Sequence, residues 1–369
     1  MLLGLQELLI SEIIAAEQKI RALKSDLRSL SDTNGRATDQ TKRLEYLERR
    51  IDRVQHVRYV WRCFGDAIAF TYLDRFSLKH TFYNTDSYNP KQDAGFISGK
   101  DGFGDELTVL KEVLSNGIPA MLVDLTNTIR YGDICLLSGP DPYLVEVKPS
   151  GKLNARAKKQ LKKMKKIHSF YETDAASDFR GGNQVRRVEY TTTPNIYIGE
   201  LNDCINRAYS EGYSIVQPEH GLFLVAVTDN KPPIAKLFEN IIIGKPWVFF
   251  LNEFKSNRAW APYYPFTLSI ESESALYDFI QGELNLLVLL DCDVLSELAA
   301  KQGYAVDLNL DDQDYPIRVT KDGVEGHARI SSHILRRSAF EFLSPAWVIR
   351  SSLEGFERNV GLLTADTEI

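Results

Sequence analysis

Over residues 1–30 the apolar positions advance by threes and fours: Leu2, Leu5, Leu9, Ile13, Ala16, Ile20, Leu23, Leu27 and Leu30. That spacing predicts a heptad-like helix. Ser31 to Gln40, with Asn34-Gly35 inside it, breaks the pattern. A second stripe follows through Leu44, Leu47, Ile51, Val54, Val57 and Trp61. The two stripes predict an antiparallel helical hairpin over residues 1–65. It either packs within its own subunit or pairs two subunits, because an unpartnered seam would expose a long apolar stripe.

Residues 66–100 are aromatic and irregular, with Phe82, Tyr83 and Tyr88 among turn formers, and read as a linker or a lid. Phe103, Leu107, Leu110 and Leu114 mark the buried face of a helix over 103–115, ended by Asn116-Gly117. Glu106 borders that face, whereas Asp105 is a first-turn residue suited to the helix dipole. A strand is expected over Ile118–Ile129. Two short apolar runs follow, around Gly132-Asp133-Ile134 and Leu144-Val145-Glu146-Val147-Lys148, separated by Ser138-Gly139-Pro140-Asp141-Pro142. That punctuation predicts a hairpin. A helix is then expected over Leu153–Tyr171, with Ala157, Gln160, Leu161, Met164, Ile167 and Tyr171 against the sheet. Gln160 either faces the site or is a plain surface glutamine; a buried amide needs partners. Beyond residue 175 the pattern predicts a loop at 180–183, a helix over 202–212 and a strand over 221–228 completing the same sheet, with His220 before it. Residues 231–369 read as an accessory α/β region. Its Trp247, Phe249, Phe250, Trp260, Tyr263 and Tyr264 are either core residues or platforms for unpaired bases.

Side chains alternate across a strand at about 3.3 Å per residue, so Glu146 and Lys148 share a face roughly 6–7 Å apart. Val145 and Val147 take the other face, and Asp133 begins the neighbouring strand. Two carboxylates beside a lysine on a sheet rim suit Mg²⁺, a hard cation bound by few protein carboxylates. Such an ion polarises a phosphoryl oxygen and acidifies water, and a lysine can orient that water.

Asp133, Glu146-Val147-Lys148, the acidic helix start at Phe103-Gly104-Asp105-Glu106-Leu107 and the downstream Gln160 together resemble the PD-(D/E)xK nuclease superfamily. Gly132 stands where that motif usually has proline. The likeness covers residues 100–175, extending towards 230. It implies an α/β fold: a mixed-sheet nuclease core over 101–230, flanked by helices. It also implies that Asp133 and Glu146 bind Mg²⁺ or Mn²⁺ with the Val147 carbonyl. Lys148 would position the attacking water, with Glu106 and Gln160 in support. DNA is the implied substrate, often cut by paired subunits, in restriction, repair and phage-defence settings.

The 369 residues are 44% hydrophobic and 25% charged, ordinary for a globular chain, with a net charge of −6. That average hides a pattern. Val147–Tyr171 holds nine Lys/Arg and no Asp/Glu, so the rest of the chain carries −15. Lys152, Arg156, Lys159, Lys163 and Lys166, with Lys158, Lys162 and Lys165 on a second stripe, form a footprint for a phosphate backbone. A solvated helix face would interleave acids. Cys63, Cys135, Cys204 and Cys292 form no CxxC pair, which argues against zinc and disulfides and for a reduced, cytoplasmic protein. The N-terminus lacks a basic leader, and Leu284–Leu290 is too short to span a bilayer. There is no Walker A loop, HExxH or GxSxG, so any ATP dependence would come from an activating protein partner. Taken with the basic run, the resemblance implies a metal-dependent endodeoxyribonuclease acting as a homodimer or larger assembly through its N-terminal helices. Its rivals are a non-cleaving nucleic-acid-binding module of the same fold and a coiled-coil interaction protein.

Overall fold

Two long helices open the chain, α1 (Leu2–Ser31) and α2 (Thr38–Tyr72). The computed structural model describes residues 1–31, 38–147, 155–228, 241, 243–312, 314–324 and 327–365. It divides into two units, Met1–Arg187 and Val188–Ile369. The apolar stripes of the hairpin meet: Ile20 and Leu23 of α1 pack on Leu47 and Ile51 of α2, with Leu27, Val54 and Phe96 at the margin. At these positions the seam is closed within the chain, whereas Leu5 on the same stripe of α1 is exposed. Helix α2 runs on through residues 66–72, into the region read as a linker or lid, and a one-turn helix α3 (Arg75–Leu78) follows.

After helix α4 (Phe103–Ser115) comes a three-stranded sheet, β1 (Ala120–Leu122), β2 (Ile134–Leu136) and β3 (Tyr143–Val145), in the order β1-β2-β3. The long strand expected over 118–129 is shorter, because Val123–Leu125 closes into a 3-10 turn. All described strand pairs are antiparallel, where the resemblance implies a mixed sheet. Chain economy explains this for β2 and β3: residues 137–142 that connect them are far fewer than the dozen or so a parallel crossover requires. Helix α5 (Ala155–Thr173) follows, with Met164, Ile167, Phe170 and Tyr171 buried, and then the ribbon β4 (Ala175–Phe179) and β5 (Gly182–Arg186).

Both edges of the small sheet are capped by side chains. Gln6 of α1, fully buried, donates to the Ala120 carbonyl at 2.9 Å and accepts from the Leu122 N–H at 3.0 Å, imitating a neighbouring strand. On the other edge the Leu144 N–H donates to Nε2 of His168 in α5 at 3.0 Å. An uncapped edge is a template for unwanted pairing.

In the second unit, α6 (Ile198–Glu211) precedes β6 (Tyr213–Glu219) and β7 (Leu222–Val227). With β8 (Pro246–Phe250) and β9 (Asn285–Asp291) they form a sheet in the order β6-β7-β9-β8. The strand expected to complete the first sheet is thus β7, held between β6 and β9, and His220 sits exposed in the β6–β7 turn. The apolar run near Leu284–Leu290 becomes β9, a central strand with Leu286, Val288, Leu289 and Leu290 buried. A second sheet, β10 (Tyr304–Leu308), β11 (Ile317–Lys321) and β12 (Ala328–Ile330), completes the described strands. Trp260 packs edge-on against Phe266 and Phe340, with ring centroids 5.1 and 5.0 Å away, so this aromatic belongs to the core. No helix among the described residues is long and apolar enough to cross a membrane.

Candidate functional site

Four charged side chains from four chain segments meet in the first unit. Glu106 lies on the buried face of α4, where its spacing from Phe103 and Leu110 puts it, while Asp105 is exposed. Asp124 comes from the 3-10 turn after β1, and Asp133 immediately precedes β2. Between them stands the ammonium of Lys100, from the turn ahead of α4. Its Nζ lies 2.7 Å from Asp124 Oδ2, 2.9 Å from Glu106 Oε2 and 3.4 Å from Asp133 Oδ1. The three carboxylates are mostly shielded from water, and Lys100 retains 28% side-chain exposure.

Backbone geometry fixes Asp133. Its N–H donates to the Val145 carbonyl at 2.8 Å, its carbonyl accepts from Val123 N–H at 2.9 Å, and its Oδ2 accepts from Val147 N–H at 2.9 Å. Asp133 therefore joins the acidic group to the Glu146-Val147 segment just beyond β3. There Gln160 of α5 donates to Glu146 Oε2 at 3.0 Å. Gln160 thus has a polar partner on the half-buried side of α5.

The helical hairpin holds the loops that carry these groups. Asp66 of α2, buried, accepts from the N–H groups of Asn127 and Thr128 at 2.9 Å each, and Arg62 donates to the Thr126 carbonyl. At Gly65 the helix backbone comes so close that a Cβ would lie 1.8 Å from the Leu125 carbonyl oxygen. Only glycine permits that approach beside Asp124.

One ammonium cannot neutralise three carboxylates, and the ionisation of the group reflects this. Burial, and then the negative charges of Asp133 and Asp124, push the Glu106 carboxyl up to about 7 against the opposing pull of Lys100. Burial alone would lower the Lys100 ammonium; the carboxylates, Asp124 foremost, outweigh it and hold it above its ordinary value.

Sequence reasoning had named Glu106, Asp133, Glu146 and Gln160, and the structure arranges them as two linked groups, Glu106 with Asp133 and Glu146 with Gln160. It had not named Asp124 or Lys100. Asp124 had one signal, a lone carboxylate in the apolar run Met121–Leu125; Lys100, in Gly99-Lys100-Asp101-Gly102, looked like an ordinary turn residue. Lys148 and Lys152 lie outside the described residues, and so does the Arg156 side chain. On α5, Lys158, Lys159, Lys162 and Lys165 are exposed. Lys163 instead lies 4.0 Å from Asp86, and Lys166 donates to the Asp178 carbonyl and sits over the Phe179 ring.

The donor set suits a hard divalent cation: carboxylate oxygens from separate elements already converge on one positive centre. As they stand, the described His, Cys, Asp and Glu side chains form no group of three set to hold a metal ion; in the acidic group Lys100 takes the central position. No protein-family model, curated protein or solved structure matches this chain.

Proposed function

We propose that the first unit is a divalent-metal-dependent nuclease acting on DNA. The observation that carries this reading is the convergence of Glu106, Asp124 and Asp133 on one cationic centre, joined through Asp133 to the Glu146–Gln160 pair. A basic helix without acids until Glu172 follows directly. Asp133 and Glu146, with Glu106, Asp124 and the Val147 carbonyl, would hold Mg²⁺ or Mn²⁺. When bound, such an ion supplies Lewis-acid polarisation of a phosphoryl oxygen and a more acidic water. The chain's own residues do the rest. Gln160 fixes the orientation of Glu146, and the Val147 N–H fixes that of Asp133. Lys148, two residues beyond Glu146, would orient the attacking water, and the exposed lysines of α5 would neutralise the phosphate backbone. Two copies acting on the two strands of a duplex belong to the same proposal, with Leu5 and Leu8 exposed on α1 as the surface for pairing.

The test is cleavage of plasmid and single-stranded DNA in Mg²⁺, Mn²⁺ or EDTA by the wild type, Asp133→Ala, Glu146→Ala and Gln160→Ala. Metal-dependent cutting is expected, lost in the two carboxylate variants and reduced about 10–100-fold in Gln160→Ala, as for an outer-shell partner. Cutting unchanged by Asp133→Ala would refute the assignment. Salt-sensitive DNA binding without cutting in any condition would favour the non-cleaving binding module instead.

A further inference from the structure

We propose that Lys100 is a built-in counter-cation. Its ammonium holds Glu106, Asp124 and Asp133 together when no divalent ion is bound, and binding of the ion requires the ammonium to leave. The inference deepens the metal-dependent reading and rests on it. The oxygens that face Nζ, at 2.7, 2.9 and 3.4 Å, are the hard donors a divalent ion would use. Two cations cannot share that centre, since like charges a few ångströms apart repel strongly away from bulk water.

The chain supplies both a fixed anchor and a mobile end. Behind Lys100, Ser98 N–H donates to Glu17 Oε2 of α1 at 2.8 Å, and Arg21 donates to the Ser98 carbonyl. Glu17, fully buried, also pairs with Arg58 of α2 at 2.9 Å, and Arg58 donates to the Gly95 carbonyl at 2.9 Å. Phe96 lies under the guanidinium groups of Arg21 and Arg58. The helical hairpin therefore pins the backbone that carries Lys100. The side chain beyond it is a flexible four-carbon stem, partly open to solvent, and can swing out without moving that backbone. Metal affinity is then set by a competition written into the fold, and the acidic site stays folded in its metal-free state.

Mn²⁺ binding, measured by electron paramagnetic resonance on the full-length wild type, Lys100→Met and Lys100→Arg without nucleic acid, tests this directly. Lys100→Met is expected to bind Mn²⁺ at least about tenfold more tightly than the wild type, because a competing charge is gone. Its metal-free Tm should fall, and Mn²⁺ should raise that Tm by more than it raises the wild type's. Lys100→Arg, which keeps the charge, should bind no more tightly than the wild type. If Lys100→Met fails to fold with and without Mn²⁺, Lys100→Gln takes its place with the same expectation. Equal or weaker Mn²⁺ binding by the neutral variant overturns the proposal, as does absence of Mn²⁺ binding by every protein. Tighter binding with no DNA cleavage in any condition would remove the nuclease reading and leave Lys100 its role. Metal-dependent cleavage with unchanged affinity in the neutral variant would do the reverse.

Discussion

At Gly132 the backbone admits neither proline nor a side chain without strain. Its φ is +78°, which proline cannot adopt, and a Cβ there would lie 2.8 Å from the Val145 carbonyl oxygen. Glycine lets Asp133 hydrogen-bond across to Val145 while its carboxylate turns towards Lys100. The placements legible in advance, Glu106 on the border of the buried face of its helix and Asp133 beside the Glu146 segment, follow from local periodicity and from neighbours in one hairpin, whereas that of Gln160 was open. Asp124 and Lys100 were not legible, because their meeting depends on loops pinned by distant helices. His168 gives a prediction at this scale. Burial holds its imidazole below the ordinary 6.5, with Glu172 opposing, and its Nε2 accepts the Leu144 N–H. The folded form thus resists the proton that the unfolded chain accepts. Its stabilising contribution is complete above 6.5 and is lost as pH falls through the lower folded value. Urea unfolding midpoints should decline on acidification through this window. The difference between wild type and His168→Phe, which keeps an aromatic ring beside Tyr143, isolates the histidine; no difference in slope between the two would refute it.

Among the elements, the hairpin shows what sequence patterning can and cannot settle. Heptad spacing located α1 and α2, and the choice between packing within the subunit and pairing two subunits was open. The structure closes much of the seam internally and adds a function that spacing does not reveal, since Gln6, Glu17, Arg58, Arg62 and Asp66 reach out of the helices to hold a strand edge and two loops. Each is a polar residue in a helix of ordinary composition, without a local mark of its partner more than thirty positions away in sequence. The hairpin is thus the frame of the acidic site. Gln6→Leu keeps the bulk and removes both bonds to β1, leaving a buried carbonyl and a buried N–H unpaired. It should destabilise the protein by roughly 2–4 kcal/mol, read as a lower urea midpoint with an unchanged slope. A cost within a few tenths of a kcal/mol would mean that the β1 edge needs no such cap.

For the whole molecule, a net charge of −6 concealed an uneven distribution, with one acid-free basic run on an otherwise acidic chain. The basic segment belongs to the first unit, together with the acidic group, and the described candidate catalytic residues fall within Met1–Arg187. The second unit was legible as mixed α/β but carried no chemical pattern to place it, and β7 was misassigned because an apolar strand does not specify its partner. Electrostatics lets the basic helix be tested apart from any chemistry. Lys158, Lys159, Lys162 and Lys165 are exposed on α5, whereas Lys163 and Lys166 turn to Asp86 and Asp178. Replacing the four exposed lysines by Gln in steps, in EDTA so that no metal-dependent cutting intervenes, should weaken DNA binding progressively. Each lost phosphate contact should flatten the plot of log affinity against log salt by about 0.9 on duplex DNA or about 0.7 on single strands. The size of the step therefore reports which form of DNA lies on the helix. Lys301→Gln, exposed in the second unit, should leave the slope where it was. If the slope is equally indifferent to all four α5 lysines, the polyanion does not bind along this helix, and the acid-free run is a solvated surface.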